Sequence, residues 1–322
     1  MSKLLTVVEA ADWLNSRDGF LIVTHQRPDG DALGSASALA QGLRESGKTA
    51  YVLYNDETTP RYVRFVEDYW APTGYKAQHI VSVDTASYNM FPKSSAEHIS
   101  SVSLCIDHHA SNTYYAEHTC LDETRASCGE VVYDILMALS GSISAACAER
   151  LYVALTTDTG CFVFGNTTAN TLRVASLLIE AGAPHRELNK LLFRTRTRGR
   201  VKLEGMINSG LEFHFDDTVA IAAITRDMME QSGAVEDDFD DITSLPGSIE
   251  GVLVAITIRE LSSPHDCKVS VRTGAAVNAN AICARFGGGG HPMAAGFSKN
   301  ATIVEITCAI LEVLGEFLPS FE

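Results

Sequence analysis

An imidazole and two carboxylates stand within seven residues at His25-x-x-x-Asp29-Gly30-Asp31. Oxygen ligands of this kind suit hard divalent cations, and the added imidazole biases such a site toward manganese or a similar ion. A plainer reading exists, since Pro28-Asp29-Gly30 is also a turn signature and Asp31 could cap a following helix. Two more segments repeat the pattern. Val81-Ser-Val-Asp84-Thr85 and Leu104-Cys-Ile-Asp107-His108-His109 each end a short apolar run in a carboxylate or imidazole. A further segment ending Thr156-Thr-Asp158-Thr-Gly160 adds another carboxylate with a glycine just beyond. A lone aspartate after a strand is ordinary turn chemistry; three apolar runs ending this way are hard to credit to it.

These groups meet only if the runs before them lie side by side. Phe20–Thr24, Tyr51–Tyr54, Ile80–Val83 and Val102–Ile106 are short continuous apolar runs that read as buried strands. Helix-like stretches alternate with them: one before Gly19 with Thr6 and Glu9 as a capping box, then Asp31–Ser46, Cys128–Leu139, Ala145–Thr156 and Ala169–Gly182. This alternation predicts an α/β fold with a parallel sheet, which binds ligands outside the carboxyl ends of its strands. His25, Asp29, Asp31, Asp84 and Asp107–His109 would then share one edge.

The composition changes further along. Lys190–Lys202 carries Arg194, Arg196, Arg198 and Arg200, and Asp227–Asp241 is acidic. Alternating arginines cannot all face one side of a helix, so most of them read as solvated. Strand-like Val219–Ile224, Val252–Arg259 and Lys268–Arg272, with helices at Asn278–Phe286 and Ile303–Phe317, predict a second, smaller α/β unit. The expected organisation is a parallel-sheet metal-binding domain over 1–190, a linker over 191–214 and a second, smaller α/β domain over 215–322. Near the C-terminus, Gly287, Gly288, Gly289 and Gly290 precede His291. A glycine run can expose backbone N–H groups to a phosphate, and His291 would add a donor. Arg272 reads as a charge-assisted clamp on a terminal phosphate rather than an ordinary strand arginine. Ser127, at a predicted helix start, reads as a simple N-cap, with phosphate binding the alternative.

Taken in order, Thr24-His-Gln-Arg-Pro-Asp-Gly-Asp-Ala32, Val83-Asp-Thr85, Asp107-His-His109 and Thr157-Asp-Thr-Gly160 resemble the four motifs of the DHH phosphoesterases. Phe286-Gly-Gly-Gly-Gly-His-Pro-Met-Ala-Ala-Gly-Phe297 is similar to the signature of the DHH-associated substrate domain, with Thr273 where many members carry serine. The resemblance implies two divalent metal ions, most often manganese, with magnesium or cobalt as alternatives. His25, Asp29 and Asp84 would hold one; Asp31, Asp84, His108 and Asp158 would hold the other, Asp84 bridging. Two ions roughly 3.5–4 Å apart can activate a shared water and neutralise phosphoryl oxygens. Asp107 would then orient a ligand imidazole, and His109 would contact the scissile phosphate or protonate the leaving oxygen. Members built of these two domains alone resemble nanoRNases, which implies short RNA and adenosine 3′,5′-bisphosphate as substrates. Linear or cyclic dinucleotides such as pApA or cyclic di-AMP are the close alternative, and a non-catalytic nucleotide-binding module is the alternative of another class. The glycine–histidine signature counts against a pyrophosphatase or exopolyphosphatase.

The whole composition sets limits on partners. The 322 residues carry 40 acidic and 25 basic side chains, a formal charge of -15, so a long polyanion would be repelled. Met1–Leu21 carries Glu9, Asp12 and Asp18 and lacks a signal-peptide pattern, and no run approaches the roughly 20 apolar residues of a membrane span. A cytoplasmic protein is expected, with no membrane partner, a short nucleic acid or nucleotide as substrate, and a homodimer possible. The eight cysteines form no C-x-x-C pair and read as reduced thiols.

Overall fold

The computed structural model describes residues 2–95, 99–239 and 242–318, so Asp240 and Asp241 of the acidic run lie outside the described residues. The chain divides into two units, Met1–Thr195 and Arg196–Glu322.

In the first unit six parallel strands are formed among the described residues: β1 (Lys3–Leu4), β2 (Phe20–Val23), β3 (Ala50–Val52), β4 (His79–Val83), β5 (Leu104–Asp107) and β6 (His118–Leu121), in the order β1-β6-β5-β4-β2-β3. Alternation along β2 explains the layers. Phe20 and Ile22 join the main core with Leu39, Val81, Ile106 and Leu151, whereas Leu21 and Val23 face a smaller core with Phe91, Val102 and Cys105. Both faces are therefore covered, as a parallel sheet requires. The covering helices are α1 (Val7–Asn15), α2 (Gly30–Glu45), α3 (Pro60–Val66), α4 (Cys128–Ser140), α5 (Ala145–Asp158), α6 (Ala169–Glu180) and α7 (His185–Asn189). Thr6 and Glu9 form the expected capping box on α1. On α2 the cap is Asp29, not Asp31: its carboxylate accepts the amides of Asp31 and Ala32. Asp31 is thereby free to point elsewhere.

The second unit is a mixed sheet. Its strands β7 (Glu212–His214), β8 (Val219–Ile224), β9 (Val254–Glu260), β10 (Asp266–Thr273), β11 (Gly289–His291) and β12 (Ala294–Asn300) run in the order β11-β12-β10-β9-β8-β7. Only the β8–β9 pair is parallel among the described residues. Helices α8 (Arg198–Ser209), α9 (Arg226–Ser232), α10 (Ala279–Ala284) and α11 (Ile303–Leu314) complete it. Much of the stretch expected as a linker, 191–214, is α8. Leu203 and Ile207, one turn apart, are buried with Ala222, Ile224 and Ile242. Arg196 and Arg200 both close on Glu204 at 2.8 Å, which ties part of the basic run into ion pairs. Six of the eight cysteines are buried and all are unpaired. Among the described residues no helix is long and apolar enough to cross a membrane.

Candidate metal centre

Strands β5, β4 and β2 are neighbours, and their registers bring Val83 beside Ile106 and Val23 beside Ser82. The residues that follow therefore converge on the middle strand. Asp84 takes a left-handed backbone, φ 53°, and lies between two imidazoles. His25 Nε2 is 3.7 Å from its Oδ2 and His108 Nε2 is 3.5 Å from its Oδ1. The start of α2 supplies Asp29 and Asp31, and the last turn of α5 supplies Asp158. Three overlapping groups result: His25, Asp29 and Asp84; Asp31, His108 and Asp158; Asp84, His108 and His109, each with its ligand atoms within 4.8 Å of one another. Asp84 is 3% exposed, and its Oδ1 is buried without a hydrogen-bond partner. A bare buried carboxylate oxygen among hard oxygen donors and imidazole nitrogens fits a divalent cation.

The surrounding contacts aim these groups. Nδ1 of His25 donates to the Gln26 carbonyl at 2.7 Å, and Nδ1 of His108 donates to the Arg125 carbonyl at 3.2 Å. Each ring thus turns its Nε2 lone pair toward the carboxylates. Asp31 accepts the Cys128 and Gly129 amides at 2.7 and 2.9 Å and the Ser35 hydroxyl at 3.1 Å. The anion at the N-terminus of α4 is therefore the protein's own Asp31, while Ser127 caps the helix by accepting the Glu130 amide. Asp107 is fully buried and serves a different ring from the ligand imidazole expected: it accepts His109 Nδ1 at 2.8 Å, together with the His108 amide. The ring of His108 is held by a backbone carbonyl instead. Asn112, which donates to Asp107 at 2.6 Å, and Asn166, which donates to the carbonyls of Asp158 and Ala126, have no sequence signal beyond being loop asparagines.

In the second unit, Arg272 and His291 both pair with Ala294, on strands flanking β12. Residues opposite one another across a sheet share a face, so the two basic side chains stand on one face across a single methyl group. Core residues Val269, Val271, Ala295 and Phe297 occupy the other face. The glycine run corrects the sequence reading of free amides. Gly287, Gly288 and Gly290 already donate to Ala284, Cys283 and the Asn280 side chain. A Cβ at Gly288 would stand 2.3 Å from the Gly296 carbonyl, and one at Gly290 2.6 Å from that of Ala294. These two glycines are needed for close backbone approach; Gly289, exposed, lies between them on β11.

Residues 19–155 match the model of the DHH family N-terminal domain, and residues 216–318 match the DHHA1 domain. The chain is 33% identical over 304 residues to the bifunctional oligoribonuclease and PAP phosphatase NrnA of Thermus thermophilus, covering 92% of this chain and 89% of that protein. The chain belongs to the DHH family. A crystal structure of an exopolyphosphatase-related protein from Bacteroides fragilis shares its fold, with TM-score 0.83 and 22% identity over 96% of each chain. The manganese-bound exonuclease RecJ is similar at TM-score 0.52 and 15% identity, covering 97% of this chain and 95% of that one.

The electrostatics of this DHH domain express a shortage of positive charge. Burial and the charge of Asp84 push Asp31 well above the usual carboxylate range; Asp29, exposed at one edge but enclosed elsewhere, is raised for the same reasons. Burial lifts Asp158 to about 6. Burial opposes charge on the imidazoles too, yet the facing carboxylates push His25 up to about 9 and His108 up to about 10. Asp84 alone moves down, despite its burial, because His108 and His25 flank it.

A pH dependence follows for the metal-free protein. A histidine with a raised folded-state pKa contributes stability that is complete below its ordinary value of 6.5 and is lost as the pH climbs toward 9 and 10. Asp158, also raised, loses its contribution between 3.8 and about 6. A cation needs neutral imidazoles, so its affinity rises over the interval in which the imidazoles deprotonate. The melting temperature without metal is expected to fall from pH 6.5 to 9, and the gap between manganese-loaded and metal-free protein to widen. Calorimetry at several pH values checks this; a constant gap would contradict it.

Proposed function

We propose that this protein is a metal-dependent phosphoesterase that hydrolyses short oligoribonucleotides and adenosine 3′,5′-bisphosphate. Asp84 carries the reading: it belongs to two of the three ligand groups, approaches the third through His108, and keeps a buried oxygen unpartnered. The likeness to NrnA over most of the chain supports the choice of substrate. In this reading His25, Asp29 and Asp84 hold one divalent cation and Asp31, Asp84, His108 and Asp158 a second, with manganese preferred. When bound, the pair supplies activation of water and neutralisation of the phosphoryl oxygens.

The remaining residues supply the proton and the grip. His109 donates its Nδ1 proton to Asp107, and that bond raises the ring's pKa, which favours a second proton on Nε2. His109 gives that proton to the leaving oxygen, and Asp107, fixed by Asn112, stabilises the ring's charge until it does. Arg272 and His291 bind a substrate phosphate from their shared sheet face, with Gly287–Gly290 shaping the hairpin that presents His291. A surface of net charge -15 suits a short substrate held locally rather than a long one.

Adenosine 3′,5′-bisphosphate and a three-residue RNA should be hydrolysed with MnCl2 and left intact with EDTA; binding without turnover in manganese would overturn the reading. The Arg272→Ala variant is expected to raise KM by about 10- to 100-fold, the scale of one hydrogen bond to a charged group, with kcat nearly unchanged.

A further inference from the structure

The loop after Asp158 is built in an unusual way. Gly160, Cys161 and Phe162 take φ values of 55°, 57° and 70°, so two of three consecutive left-handed residues are not glycine. Such backbone persists only when its surroundings hold it, and strain of this kind concentrates where a site needs a fixed geometry. The holding contacts are visible. The amides of Val163 and Phe164 both donate to the Thr159 carbonyl at 3.0 Å, the Phe162 amide donates to the Thr159 hydroxyl, and the Phe164 carbonyl accepts the Thr167 amide. Asn166 then clasps the loop to the carbonyls of Asp158 and Ala126.

The two phenylalanines of this loop have opposite fates. Phe162 packs inward, edge-on to Tyr152. Phe164 is 54% exposed, and its ring lies against Gly160, where any side chain would come within 2.5 Å of Cζ. The glycine thus leaves a seat for the ring two residues beyond Asp158. Two other exposed aromatics follow site strands but have other company: Tyr88 meets Phe91 edge-on, and Tyr114 lines a surface hollow together with Leu4 and Leu5. Folding gains little from a large apolar ring left in water on a strained, pinned backbone. Binding gains from it, because a preorganised ring loses little freedom when it is covered.

We infer that Phe164 is the platform on which a nucleobase of the substrate stacks, setting the preference for nucleotides over base-free phosphate esters. This rests on the phosphoesterase reading above and adds to it the feature recognised beyond the phosphate. Stacking on an aromatic side chain tolerates any base, since every base has a π-face, so the loop favours nucleotides without selecting among bases.

The test compares wild type with Phe164→Ala, Phe164→Leu and Phe164→Trp in manganese, on adenosine 3′,5′-bisphosphate and on the base-free 1-deoxyribose 3,5-bisphosphate. With Ala and Leu, KM for the nucleotide is expected to rise about 5- to 100-fold, with kcat within about twofold; Trp should restore it. KM for the base-free substrate should be the same in all four proteins. An unchanged nucleotide KM in the Ala variant, an equal rise on both substrates, or a shift in oligomeric state on size exclusion would overturn the stacking role while wild-type turnover still stands. Absence of wild-type turnover on both substrates would instead defeat the phosphoesterase reading and the stacking role together.

Discussion

Replacing Asp84 with asparagine is expected to lower kcat/KM by about 10²- to 10³-fold, the scale of losing one preorganised electrostatic contact at a reacting centre. Asparagine is the informative substitution because Asp84 sits at φ 53°, a conformation that asparagine adopts far more readily than alanine. The Asp84 amide donates to the Ile106 carbonyl at 3.0 Å, and that bond is indifferent to the side chain. The sheet edge should therefore survive, while the negative charge between His25 and His108 disappears. Both imidazoles then lose the neighbour that most favours their protonated forms, so their pKa values should fall. Steady-state kinetics in manganese and a pH titration of the imidazole resonances of the metal-free protein check the two halves; wild-type turnover by the asparagine variant would rule out the bridging role. Alanine should be as inactive and less stable, since it adds backbone strain to the same chemical loss.

The fold and the site were legible to different depths. Strands β2, β4 and β5 announced themselves because each is an apolar run covered on both faces, and because each leads directly into His25, Asp84 or Asp107. Strand β1 is two exposed residues and β6 reads His-Thr-Cys-Leu, so neither carries a hydrophobic signal; both are defined by their pairing, β6 with β5 and β1 with β6. The same division runs through the site. The residue types that bind cations were readable from local motifs, whereas the contacts that aim them were not. Asp31 is held by amides 97 and 98 positions away, at a helix start whose cap residue reads the same whether or not an anion lies beyond it. In α8 the density of arginine hid the Leu203–Ile207 stripe, and Glu204, which neutralises two of those arginines, stands just past the run. For the glycine run the composition was plain but its cause was not. Anion loops and tight hairpins both demand glycine, and only the positions of Gly296 and Ala294 decide between them.

Gly34→Ala is expected to destabilise the protein by about 1–3 kcal/mol, the usual cost of overpacking, and to weaken manganese binding on the order of 10- to 100-fold, as changes in the support of a metal site do. Helix propensity alone predicts the opposite sign, because alanine in a helix interior is favoured over glycine by about 1 kcal/mol. The decision lies in the space available. A Cβ at Gly34 would stand 2.6 Å from the Arg150 carbonyl oxygen and 2.8 Å from the Ala154 amide nitrogen, backbone atoms of α5 that no rotamer change can remove. Gly129 of α4 meets the same helix, where a Cβ would be 2.6 Å from that of Ala154. Three helices therefore close on one point, and their spacing there sets the distance between Asp31, one turn earlier on α2, and Asp158, one turn later on α5. Pushing α2 from α5 separates two groups that share a cation in the proposed reading. Gly205 of α8 is the matched control: nothing lies within 4 Å of where its Cβ would be, so Gly205→Ala should stabilise by about 0.5–1 kcal/mol with metal affinity unchanged. Thermal melts of the two variants should move in opposite directions and manganese binding should weaken only in Gly34→Ala; a Gly34→Ala protein that melts at or above wild type would mean that helix contact does not hold the site together.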